Sequence, residues 1–103
     1  MPQVIIHQPR VAWEGARAFV RAAASPGFDV FAGRVAAQLG AEFYGELANT
    51  RQRLLTAQIV TGGDRFVSDV ETGKWRVRFD DLLRTRPDLT ATVQALTTHA
   101  PPV

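Results

Sequence analysis

Acid–base or metal chemistry in this chain would have to come from His7, His99 and a group of carboxylates, Asp69, Glu71, Asp80 and Asp81. A metal site needs several such groups at ligand spacing. The two histidines stand near opposite ends, with neither a second histidine nor a carboxylate suitably placed beside them. Paired catalytic carboxylates must converge on one bond, whereas Asp80 and Asp81, as neighbours on a helix, diverge by about 100°. The acids therefore read as solvated helix charges, with Arg76 and Arg84 at ion-pairing spacing from Asp80. The absence of cysteine excludes a disulfide framework, a thiolate nucleophile and a Cys-based metal site. No serine sits in a nucleophile elbow, and "VTGGDRF" lacks the glycine spacing and the Lys-Ser/Thr of a phosphate-binding loop. No catalytic, cofactor-binding or metal-ligating role is assigned to any residue.

A second chemistry is recognition of nucleic acid. Trp75 beside Arg76 and Arg78, with Arg84 and Arg86 further on, offers a stacking ring and phosphate-clamping cations. Against it stands a formal charge of only +2, from twelve basic and ten acidic residues, which gives a weak field. Asp80, Asp81 and Asp88 dilute the patch, and no long run of one sign occurs.

Placing these residues requires reading the elements. At 103 residues, 46% of them hydrophobic, the chain is one folded domain spanning 1–103. In "RVAWEGARAFVRAAA", Arg10, Glu14, Arg17 and Arg21 recur at helical spacing and leave a narrow polar stripe on an otherwise apolar helix. "ASPGFD" then gives Ser25 as an N-cap with Pro26 at the first helical position, opening a second helix through Phe31, Val35 and Leu39 to Gly40. A third helix fits residues 41 to about 60, where Phe43, Leu47, Leu54, Leu55 and Ile59 keep helical rows.

The stretch "TGGDRFVSDVETGKWRVRF" is ambiguous. Trp75, Val77 and Phe79 alternate with arginines as a strand would, yet Trp75, Phe79, Leu82 and Leu83 also fall at helical intervals. The helical reading makes Gly62-Gly63 the turn of an antiparallel hairpin, about 41–60 and 64–84, with Asp64 capping its second arm. It places Phe66, Val70 and Val77 nearly opposite Trp75, which predicts a bend near Gly73 or contacts on both faces. "TRPDLTATVQAL" predicts a short last helix with Thr85 as N-cap, Asp88 completing a capping box and Leu89, Val93 and Leu96 as its apolar stripe. The fold class expected is all-α, with four to five helices.

Trp75, Arg76, Phe79, Leu82, Leu83, Pro87, Leu89 and Leu96 together resemble a pattern found in uncharacterised actinobacterial proteins, in which a helical hairpin precedes a Trp-Arg pair, Leu-Leu, proline and a Leu-rich helix. The resemblance covers about residues 31–96 and implies a helical hairpin without an assigned activity; Gly73-Lys74 and the first thirty residues depart from it. Fifteen alanines, and eleven arginines to one lysine, agree with a high-GC genome. Trp13-Glu14-Gly15 resembles the turn of small secreted actinobacterial hairpin proteins, but here it follows only twelve residues.

The reading of function that results is a non-enzymatic helical module for protein–protein interaction or self-assembly. Val11, Trp13, Phe19 and Val20 are its expected interface, because that helix carries more apolar surface than a small core covers. The alternatives are a nucleic-acid-binding accessory protein using Arg76, Arg78, Arg84 and Arg86, and a small ligand-binding or enzymatic α/β dimer. "MPQVIIHQPR" is too short in its apolar core for a signal peptide or a membrane span, so no membrane span and a cytoplasmic location are expected.

Overall fold

The computed structural model describes residues 8–62 and 65–102. The helices are α1 (Gln8–Ala23), α2 (Phe28–Leu39), α3 (Ala41–Thr61), α4 (Arg65–Thr85) and α5 (Thr90–Thr98), with a 3-10 turn at Pro87–Leu89. The fold is all-α: among the described residues there is no strand, so the stretch around Trp75 is helical and the α/β reading is overturned. His7, Gly63 and Asp64 lie outside the described residues, and with them the Asp64 cap.

Helix α1 is the central element because its sequence leaves it only one polar stripe. Arg10, Trp13, Glu14, Arg17 and Arg21 face outward, while Val11, Ala12, Ala16, Ala18, Phe19, Val20, Ala22 and Ala23 are buried. Its small residues let neighbours approach: a Cβ on Gly15 would lie 3.1 Å from Val93 Cγ1 and 3.2 Å from Phe79 Cε2. Phe19 is the hub of the core. Its ring meets Phe31 of α2 edge-on at 5.0 Å, Phe79 of α4 edge-on at 4.8 Å and Trp75 at 5.2 Å, geometries that favour aromatic pairs.

The α3–α4 hairpin is held in one antiparallel register by three side-chain links. Glu46 pairs with Arg78 at 2.8 Å, Thr50 accepts from Trp75 at 2.8 Å, and Arg53 grips Glu71 at 2.8 and 2.9 Å. Both glycines end their helices at positive φ, but only Gly62 lies in the left-handed helical region; Gly40, expected there too, has ψ 168°. Gly40 has φ +102°, with its N–H donating to Ala36, and Gly62 adopts the left-handed conformation at φ +72°, donating to Gln58.

Several expectations are corrected. Ser25 does not cap α2, which begins at Phe28 behind Gly27. Its hydroxyl instead accepts from the Gly27 N–H at 3.0 Å and donates to the Pro102 carbonyl at 2.9 Å, tying the chain's end to the α1–α2 corner. Arg51 braces the same corner, donating to the carbonyls of Ala23 and Ser25 while lying 4.8 Å from the centre of the Phe28 ring. Nor does Thr85 cap α5. It ends α4, its hydroxyl donating back to Asp81 and Leu82, and Asp88 is taken by a two-pronged pair with Arg86 that outweighs a neutral capping bond.

Helix α4 runs unbroken through Gly73. Glu71, Trp75, Phe79 and Leu83 form its buried stripe, and of the opposing residues Phe66 and Val77 are largely exposed and Val70 partly so. Nothing lies within 4 Å of a Cβ built on Gly73, whereas on Gly15 it would press on fully buried Phe79 and Val93. Gly73→Ala is therefore expected to stabilise the protein by about 1 kcal/mol through helix propensity. Gly15→Ala is expected to destabilise it by about 1 kcal/mol, overpacking outweighing the same propensity gain. Opposite shifts of the two melting temperatures are the outcome to look for; equal shifts would contradict the packing described at Gly15.

Candidate functional site

The carboxylate that sequence reasoning placed on a solvated face is in fact the most enclosed acid of the described chain. Glu71 is 1% exposed because it continues the stripe of Trp75, Phe79 and Leu83 one turn earlier. Arg53 donates to both its oxygens, Lys74 approaches at 3.3 Å, and the Thr50 hydroxyl lies 3.2 Å from Oε1 while receiving the Trp75 indole N–H. Burial alone would push the Glu71 carboxyl up. The bonds and charge of Arg53, then those of Lys74, override it and hold the group below its usual 4.5, and Arg53 in turn is raised. An ionised carboxylate with every oxygen engaged fixes the hairpin.

The four arginines considered for nucleic acid do not form one surface. Arg76 lies toward Trp13 of α1 and pairs with Asp80 at 3.8 Å; Arg78 points to α3, against Glu46 and 5.0 Å from the centre of the Trp75 ring. Its Nη1 is buried with no acceptor, the aromatic face standing in for one. Arg84 pairs with Asp81 at 3.3 Å, and Arg86 with Asp88 at 2.8 Å. Trp75, the proposed stacking ring, is fully buried. These four cations are each matched by a carboxylate, and the ring is core.

Three of the four residues expected at an interface are also core. Val11, Phe19 and Val20 are 6%, 0% and 4% exposed, covered by the other helices of the same chain; only Trp13, at 43%, remains accessible. The apolar surplus lies elsewhere. Ile59 and Val60, near the end of α3, are 85% and 75% exposed, and Leu55 and Val70 are partly so. This end of the hairpin reaches beyond α1 in a molecule measuring 53 × 24 × 22 Å.

Between α1 and the far half of the hairpin lies a cleft of about 590 Å³. Leu54, Ala57 and Val67 form half-buried parts of its wall, with Val20 behind them, and Arg17, Arg21 and Arg65 stand exposed at its edge. Sequence reasoning missed this site because its walls come from three separate segments with no shared motif. Exposed Ile59 and Val60 adjoin this region in sequence but are not among the residues that line the cleft.

Among the described residues, no group of three histidines or acids converges to hold a metal, and no helix is long and apolar enough to cross a membrane. His99 is exposed at the end of α5. Compared with models of protein families, with curated proteins and with solved structures, the chain matches none.

Proposed function

We propose that the protein is a helical interaction module, with no chemistry of its own, that presents the end of the α3–α4 hairpin and the adjoining cleft to another polypeptide. The observation that supports this reading is the exposure of Ile59 and Val60 at 85% and 75% on a helix that joins the core through Phe43, Leu47 and Leu54. Large aliphatic side chains left in water forgo roughly 1.5 to 3 kcal/mol each, which a partner recovers by covering them. The interface thus moves from α1 to α3. The ion-paired arginines of α4 give the nucleic-acid reading no comparable support.

A photo-crosslinking residue placed at position 59 or 60 of the full chain in cells tests the proposal. Adducts with a second polypeptide are expected from both positions and not from position 94, an exposed glutamine on α5. Equal labelling from all three, or none from the hairpin, would overturn it. The adduct mass tells a second copy from a different protein.

A further inference from the structure

Charge is distributed unevenly over this surface. Among the described residues, Arg10, Arg53, Arg76, Arg78, Arg84 and Arg86 each have a carboxylate within ion-pair distance, and Arg51 is bonded to two carbonyls. Arg17, Arg21, Arg34 and Arg65 have none, and three of these four line the same cleft between α1 and the hairpin. Among the described residues that line the cleft, Asp69 is the only carboxylate, and it makes no ion pair. The cleft thus concentrates the chain's unmatched positive charge next to its half-buried apolar wall.

We infer that the cleft receives an acidic amphipathic helix from another protein, with apolar side chains on Leu54, Ala57 and Val67 and carboxylates on Arg17, Arg21 and Arg65. This rests on the protein-binding reading above and adds the chemistry of the partner. Arg17 and Arg21 stand one helical turn apart on α1, a repeat that glutamates at i and i+4 of a facing helix match. The wall of α1 from Trp13 to Ala24 is roughly 16 Å long, enough for about three turns of a partner helix. Apolar anchors at helical spacing in a groove, with charges at its rim, are the usual terms of such recognition.

Two other occupants fit less well. A nucleic acid would set phosphates against the arginines but lay polar backbone on the aliphatic wall; the accessible ring, Trp13, has Arg76 6.0 Å from its centre. A second copy would need an acidic helix face, and the outward face of α2 that carries Asp29 and Val30 also carries the unmatched Arg34.

The test uses the intact protein and a fluorescent peptide of about fourteen residues, leucines at i, i+3, i+4 and i+7 and glutamates flanking them. Anisotropy should report saturable binding, weakened about tenfold by the Arg17→Gln, Arg21→Gln double substitution and also by Arg65→Gln on a different helix. A scrambled peptide of identical composition should bind about tenfold more weakly, and raising salt from about 50 to 300 mM should weaken the original. All three arginines are exposed without partners, so unchanged melting of the variants is expected alongside. Equal binding by the scrambled peptide, indifference to the substitutions, or tighter binding of a thymidine oligonucleotide would overturn the inference. Crosslinking from positions 59 and 60 without peptide binding would sink this inference alone; failure of both would sink the interaction reading too.

Discussion

Trp75→Ala should remove a large share of the protein's stability. Truncating a buried aromatic costs about 3 to 5 kcal/mol, and a domain of this size holds only about 5 to 15 kcal/mol in total. Trp75 is fully buried and touches the rings of Phe19, Phe43 and Phe79, so its loss opens a void shared by α1, α3 and α4. It also removes the N–H that Thr50 accepts, leaving that hydroxyl oxygen buried with one bond fewer. Trp75→Phe keeps most of the ring contact and loses the donor, so about 1 to 2 kcal/mol is expected. Urea unfolding followed by circular dichroism measures both; a loss below about 1 kcal/mol for the alanine variant would contradict the core described above.

The second large effect concerns Arg53. Arg53→Met removes the group that holds Glu71 ionised while leaving the carboxylate buried, and an uncompensated buried charge costs about 3 to 5 kcal/mol. The Arg53 side chain is 41% exposed, and Lys74 remains nearby, so about 2 to 3 kcal/mol is expected. Its dependence on pH has a definite sign. In the native protein Glu71 titrates below its unfolded value of 4.5, so its contribution is complete above that pH and is lost as pH falls through the folded value. In Arg53→Met, burial dominates and raises the Glu71 carboxyl, so protonation relieves the variant. The stability gap between the two proteins should therefore narrow as the solution is acidified from neutral. A gap that stays constant into the acid range would show that the ion pair is not its source.

Much of the architecture could be read from residue spacing, and the reason is local. The Trp75-Phe79-Leu83 stripe, the proline-free run from Ala41 and glycines at both of its ends are decided within a turn or two of chain. What spacing could not supply was the choice between competing partners. Helix α4 has two apolar faces in sequence, and only the position of α1 determines that Trp75 is covered and Val77 is not. The same holds for α1: an excess of apolar residues reads alike whether four neighbouring helices or another molecule cover it. Glu71 looked like one more surface acid because Arg53 and Thr50, which make its burial tolerable, lie 18 and 21 residues away. Ser25 and Thr85 carried good local capping signals that were outcompeted by the chain's end and by α4 itself. The cleft is legible least of all, since it exists only where three segments meet.

The three rungs across the hairpin stop at Arg53 and Glu71, well short of Gly62. Beyond that last rung no described residue of either arm, 54–62 or 65–70, is fully buried. Local opening of residues 54–60 is therefore expected at a smaller free-energy cost than global unfolding, which amide hydrogen exchange would measure. If the cleft binds a partner as proposed, a wall so lightly buried is expected to accept guests of differing shape, a tolerance set by where the rungs end.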